Sequence, residues 1–159
     1  MNLTERQPLP AAKTLVSGYA FVGRGRRQTM AQQTVLLAVD DDTDRSEKQA
    51  RLVCDLFDPD NVRTLVHHNF PMDDTESTLD DVPAVDAAES ALLEAGFEVE
   101  LYETTGKTGV SIVDTAEKFD ADVVCLYARR RSPTGKVVFG STAQDVILST
   151  DRAVLLAPK

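Results

Sequence analysis

The stretch Thr34–Val39, TVLLAV, decides the fold. It is strand-length, uncharged, and apolar at positions facing both ways, as in a strand covered on both faces. Two runs of the same kind lie downstream, DVVCLY (Asp122–Tyr127) and AVLLA (Ala153–Ala157). VRTLVHH (Val62–His68) and FEVELY (Phe97–Tyr102) supply two further strands between them. The intervening segments are helical in period. Ala50, Val53, Cys54 and Phe57 fall at i, i+3, i+4 and i+7 behind a capping box of Asp44 and Glu47. DPDN (Asp58–Asn61) is turn chemistry, and a polar loop is expected over Asn69–Asp81. A second helix runs from Pro83 to Ala95 with Gly96 at C′, a third over Val110–Phe119, and a fourth over Thr142–Ser149.

Five strands alternating with four helices predict an α/β fold, a doubly wound five-stranded parallel sheet with helices on both faces. Right-handed crossovers can cover both faces only if the winding reverses once, and ligands of such sheets bind outside the strand carboxyl ends at that reversal. The search for chemistry therefore narrows to the loops Asp40–Thr43 and Ala128–Ser141.

Composition agrees with a single domain: 159 residues, 17.4 kDa, 42% apolar and 27% charged. No apolar run is long enough to span a bilayer. Cys54 and Cys125, each in an apolar stretch, are expected to be reduced buried thiols, which excludes a disulfide scaffold and a zinc module. Residues 1–29 carry a net charge of +4 and the remainder −13, so the acidic body repels nucleic-acid phosphates. With 17 Asp and 6 Lys, the surface suits a salt-rich cytoplasm. Residues 1–29 have no helical or strand period and no signal-peptide pattern. They are expected to form a disordered or non-native extension ahead of a domain over residues 30–159.

The most informative loop is YARRRSPTGKVVFGST, Tyr127–Thr142. Gly140-Ser141-Thr142 opens a helix, with Ser141 as the expected N-cap, and its free N–H groups favour an anion. Arg129, Arg130, Arg131 and Lys136 reverse the local sign of an acidic chain, as a polyanionic ligand such as a nucleotide phosphate chain would require.

Over Val35–Pro158 the chain resembles the universal stress protein family, an adenine nucleotide alpha-hydrolase-like type of the flavodoxin-like layout. The resemblance lies in VLLAVDDDTDRSEKQA, SPTGKVVFGSTAQDVIL and DRAVLLAP. Nucleotide-binding members share Gly, two residues, Gly, nine residues, Gly, then Ser or Thr. Here Gly140-Ser141 ends that pattern, while Tyr127 and Arg130 stand at the first two glycine positions. The resemblance implies that Ala38, Val39 and Asp40, at the end of the first strand, meet a nucleoside. It implies that His68, or His67, meets adenine through its backbone. It also implies that Tyr127, Arg130, Gly140, Ser141 and Thr142 border the phosphates of ATP, bound with or without Mg²⁺. A stress-response regulatory homodimer paired through Ala153, Val154, Leu155, Leu156 and Ala157 is the implied assembly. An interaction protein that binds no nucleotide and a slow ATPase are the alternatives.

Other constellations fail. Asp40-Asp41-Asp42 with Asp44 lacks the EF-hand Gly and Glu, since Arg45 and Arg51 occupy those positions. Gly135-Lys136 lacks the leading Gly and the Ser/Thr of a Walker loop, and Gly23-x-Gly25 lacks the third Gly of a dinucleotide fingerprint. A receiver domain needs an acceptor Asp ending strand three and a Lys ending strand five, whereas strand three ends Tyr102-Glu103-Thr104 and strand five ends Pro158-Lys159. No GxSxG motif supports serine hydrolysis, so no catalytic residue and no resident metal are expected. His67 and His68, adjacent on a strand, point to opposite faces, with one expected inside and the other exposed.

Overall fold

The computed structural model describes residues 20–23, 26–29, 32–127 and 139–158. The chain divides at Gln32/Gln33 into two units. In the first, β1 (Ala20–Gly23) pairs antiparallel with β2 (Arg26–Thr29). This hairpin lies within the segment 1–29 in which the sequence shows no helical or strand period. Its arms are four residues each, too short for a periodicity reading to register.

The second unit alternates as expected: β3 (Gln33–Val39), α1 (Thr43–Leu56), β4 (Val62–Phe70), α2 (Pro83–Glu94), β5 (Glu98–Thr105), α3 (Thr108–Lys118), β6 (Val123–Tyr127), α4 (Ser141–Ser149) and β7 (Ala153–Ala157). The strands form one parallel sheet in the order β5-β4-β3-β6-β7. Counted within this sheet the order is 3-2-1-4-5, with the first strand central, where the flavodoxin order is 2-1-3-4-5. The winding reverses between β3 and β6.

Both faces are covered. Val35, Leu37, Val66 and Phe70 pack under α1 and α2 with Ala50, Val53, Val85, Ala88 and Leu92. Leu36, Leu65, Val124 and Leu126 pack under α3 and α4 with Ile112, Ala116, Ala143 and Val146. Alternation along β4 assigns Leu65, His67 and Asn69 to the α3/α4 side and Val66, His68 and Phe70 to the other.

Helix ends follow local chemistry. The Asp42 carboxylate, not an Asp44–Glu47 box, caps α1 by accepting from the Arg45 N–H at 3.2 Å. Helix α2 starts at Pro83 and closes in a Schellman motif. Phe97 N–H donates to Leu92 and Gly96 N–H to Leu93, both at 3.0 Å, with Gly96 at φ 89°. Strands β4 and β5 run beyond the expected ends, to Phe70 and Thr105, because each pairs with a neighbour there. Among the described residues no helix is long and apolar enough to cross a membrane.

Candidate functional site

Strands β3 and β6 are paired only from Val35/Val123 to Leu37/Cys125. Beyond that they part, and their last carbonyls would be left without partners. Gln49, buried on α1, fills the fork: its Nε2 donates to Ala38 O at 2.9 Å and to Cys125 O at 3.1 Å. Above the fork, at the carboxyl ends of the strands, lies a cavity of about 300 Å³. This is where the winding reversal predicts it.

Of the nine site residues named from sequence, the structure gathers seven around this cavity: Ala38, Val39, Asp40, Tyr127, Gly140, Ser141 and Thr142. Arg130 lies outside the described residues, as do Arg129, Arg131 and Lys136. His68 faces α1 and α2, where its Nδ1 sits 3.1 Å from Val39 O and its ring meets Phe70 edge-on at 4.7 Å. His67, the other residue named for that position, lines the cavity. Both histidines are buried, correcting the expectation that one is exposed, because helices cover both faces.

Sequence reading missed Gln49, Asn69, Thr108, Ile112, Leu126 and Ala143. The last three are ordinary core positions by period, and no local signal marks them. Asn69 had one available signal, the continuation of the odd-numbered face of β4 past His67. Its Nδ2 donates to Gly106 O at 2.9 Å and lies 3.2 Å from Thr108 Oγ1, tying β4 to the loop that starts α3. Its Oδ1 accepts from Thr104 at 3.0 Å, and Thr104 Oγ1 is 2.7 Å from His67 Nε2. Burial first, and the neighbouring His68 second, push the His67 pKa down to about 4, so the ring is neutral at pH 7.

Helices α3 and α4 both present their N-termini to this cavity, through Thr108 and through Ser141 to Ala143. Neither has a side-chain cap. The N-cap of α4 is Gly140 rather than Ser141, which is already helical. Gly140 has an unexceptional φ of −61°, and nothing lies within 4 Å of where a Cβ would stand. The two helix starts are held close: a Cβ on Gly109 would come 2.8 Å from that of Asp145, which also pairs with Lys107 at 3.6 Å.

The acidic triplet is matched locally. Asp40 accepts from Arg45 at 2.7 Å and from Asp42 N–H at 3.0 Å, while Asp42 meets Arg45 Nε at 3.1 Å. These contacts raise the Arg45 pKa further, the Asp40 hydrogen bond first, and its guanidinium lies 5.4 Å from the centre of the Tyr127 ring. Among the described residues no three His, Cys, Asp or Glu side chains converge as metal ligands. Both cysteines are free thiols, and burial pushes Cys125 up to about 12.

A parallel sheet with a cavity at its winding reversal, flanked by two uncapped helix starts, defines a doubly wound α/β domain with an open cavity at the strand ends. The model of the universal stress protein family matches residues 32–158, and the chain belongs to that family. A universal stress protein from Archaeoglobus fulgidus is 31% identical, with a TM-score of 0.65 over 78% of this chain and 97% of that one. The universal stress protein from Archaeoglobus fulgidus in complex with dAMP is 26% identical, with a TM-score of 0.63 over 80% and 98% of the two chains. A universal stress protein solved in complex with cAMP, at 18% identity and a TM-score of 0.61 over 80% and 97%, shares the fold. No curated protein matches the chain.

Proposed function

We propose that this universal stress protein is a regulatory module that binds ATP or a related adenine nucleotide in the β3/β6 cavity. One observation carries the reading: two uncapped helix N-termini and the open side of Gly140 meet over an apolar floor of Ala38, Ile112 and Leu126. Free N–H groups with the helix dipole attract phosphate, and apolar side chains accept the face of a base. The relative solved with dAMP supports an adenine nucleotide as the ligand. The phosphates lie over Gly140, Ser141 and Thr142 in this reading, with Arg130 adding charge, and Mg²⁺ arrives with the nucleotide. The protein works as a homodimer in the cytoplasm and has no catalytic residues.

Titration calorimetry with ATP and Mg²⁺, at a salt concentration suited to an acidic protein, should give saturable binding. An absence of heat at millimolar ATP overturns the reading. It would favour an interaction protein that binds no nucleotide, which Tyr127 supports by filling a motif glycine position at the cavity wall.

A further inference from the structure

The hydrogen-bond chain behind the cavity has only one consistent direction. Asn69 Nδ2 faces the carbonyls of Gly106 at 2.9 Å and Phe70 at 3.3 Å, which accept and never donate. The amide nitrogen therefore belongs there, and Oδ1 faces Thr104. Oδ1 accepts only, so the Thr104 hydroxyl spends its one proton on it at 3.0 Å. Thr104 Oγ1 has none left for His67, 2.7 Å away, so His67 Nε2 carries the hydrogen and donates. A neutral imidazole has one N–H, which leaves Nδ1 as a bare acceptor.

Among the described residues Nδ1 has no partner. Yet the one fully enclosed side-chain polar atom left unpaired among those residues is Asn61 Oδ1. His67 is 1% exposed and lines the cavity, so its unpaired nitrogen opens onto that space. The lowered pKa keeps the ring in the single-proton form across the physiological range.

We propose that His67 selects the ligand's base: Nδ1 accepts a hydrogen bond from the exocyclic amine of adenine and disfavours a 6-oxopurine, whose carbonyl would face it lone pair to lone pair. Thr104 is a positioning residue, since it holds the tautomer from outside the cavity lining, and Asn69, which does line the cavity, fixes the direction of the Thr104 hydroxyl. The inference rests on the adenine-nucleotide reading of the cavity. A site with a fixed acceptor discriminates because the wrong ligand leaves a desolvated polar atom unpaired.

Two measurements test it. Nitrogen-15 NMR of the imidazole in the ligand-free full chain, between pH 6 and 8, should give a pyridine-type shift at Nδ1 and a pyrrole-type shift at Nε2. The opposite assignment overturns the proposal whether or not any nucleotide binds. Calorimetry should then find ATP bound at least about tenfold more tightly than ITP. Thr104→Val, which keeps the side-chain shape but frees His67 to change tautomer, should shrink that ratio to about threefold or less. Equal affinities in the wild type with the expected tautomer overturn base selection but leave nucleotide binding standing. A ratio unchanged in a folded Thr104→Val overturns the role of the hydrogen-bond chain. Absence of binding by either nucleotide overturns both readings.

Discussion

The Gln49 side chain donates to the Ala38 carbonyl at 2.9 Å, 11 residues back along the chain, at the point where β3 leaves β6. The same nitrogen reaches the Cys125 carbonyl at 3.1 Å. One buried amide thus satisfies both strands where the sheet stops doing so, and the fork stays open as a cavity wall.

Replacing that amide by an apolar side chain of similar size isolates its contribution. Gln49→Leu should lose about 1–3 kcal/mol in urea unfolding, because the buried Cys125 carbonyl and the partly buried Ala38 carbonyl lose their donor. A loss under about 0.5 kcal/mol would mean that water takes over both carbonyls.

Gly140 separates fold from binding. With φ at −61° and nothing within 4 Å of a Cβ, Gly140→Val should stay folded, its loss confined to the poorer helix N-cap, about 1 kcal/mol or about 2–4 °C. ATP affinity should nonetheless fall at least about tenfold, or about 1.4 kcal/mol, because the new methyls stand where the ligand approaches. A folded variant with unchanged affinity would move the nucleotide away from α4.

Stability should depend on pH through His67. Its pKa is about 4 in the folded chain against 6.5 for the free side chain, with burial the larger cause and His68 the smaller. The unfolded state therefore binds the proton first, and stability is complete above about pH 6.5 and lost as pH falls towards 4. The loss from this group is on the order of 3 kcal/mol. Urea midpoints measured from pH 7 to pH 4 should fall more steeply for wild type than for His67→Gln, and equal slopes would assign the acid sensitivity elsewhere.

The sheet's two edges are unlike. Strand β5 carries Glu98, Glu100 and Glu103, charges that discourage pairing, while β7 offers Ala153, Val154, Leu155, Leu156 and Ala157. Sedimentation at tens of micromolar should give twice the 17.4 kDa chain mass. Hydrogen exchange should find the outward amides of β7 protected as concentration rises. A monomeric mass, or rapid exchange along β7, would refute pairing through this edge.

Much of the site was legible because a parallel α/β sheet puts ligands at predictable strand ends. The apolar runs and the winding rule pointed to the loops Asp40–Thr43 and Ala128–Ser141 and to the helix start at Gly140, while Tyr127 and the nucleoside role of Asp40 came from the family resemblance. Gln49 could not, since a polar residue on an amphipathic helix reads as solvent-facing unless the carbonyls it serves are known. The two histidines show the same limit. Alternation correctly sent them to opposite faces, but their exposure depended on what packs over each face.

Sequence by itself determined the order of elements from β3 onward, the double winding, and the Gly140-Ser141-Thr142 helix start, because these follow from short-range periodicity and turn chemistry. Only the tertiary structure decided that His67 rather than His68 meets the cavity, that Gln49 closes the fork, and that Thr104 and Asn69 orient His67. Those contacts join residues 11 to 76 positions apart. They are set by which strands adjoin and where they part, and no local pattern of side chains encodes that.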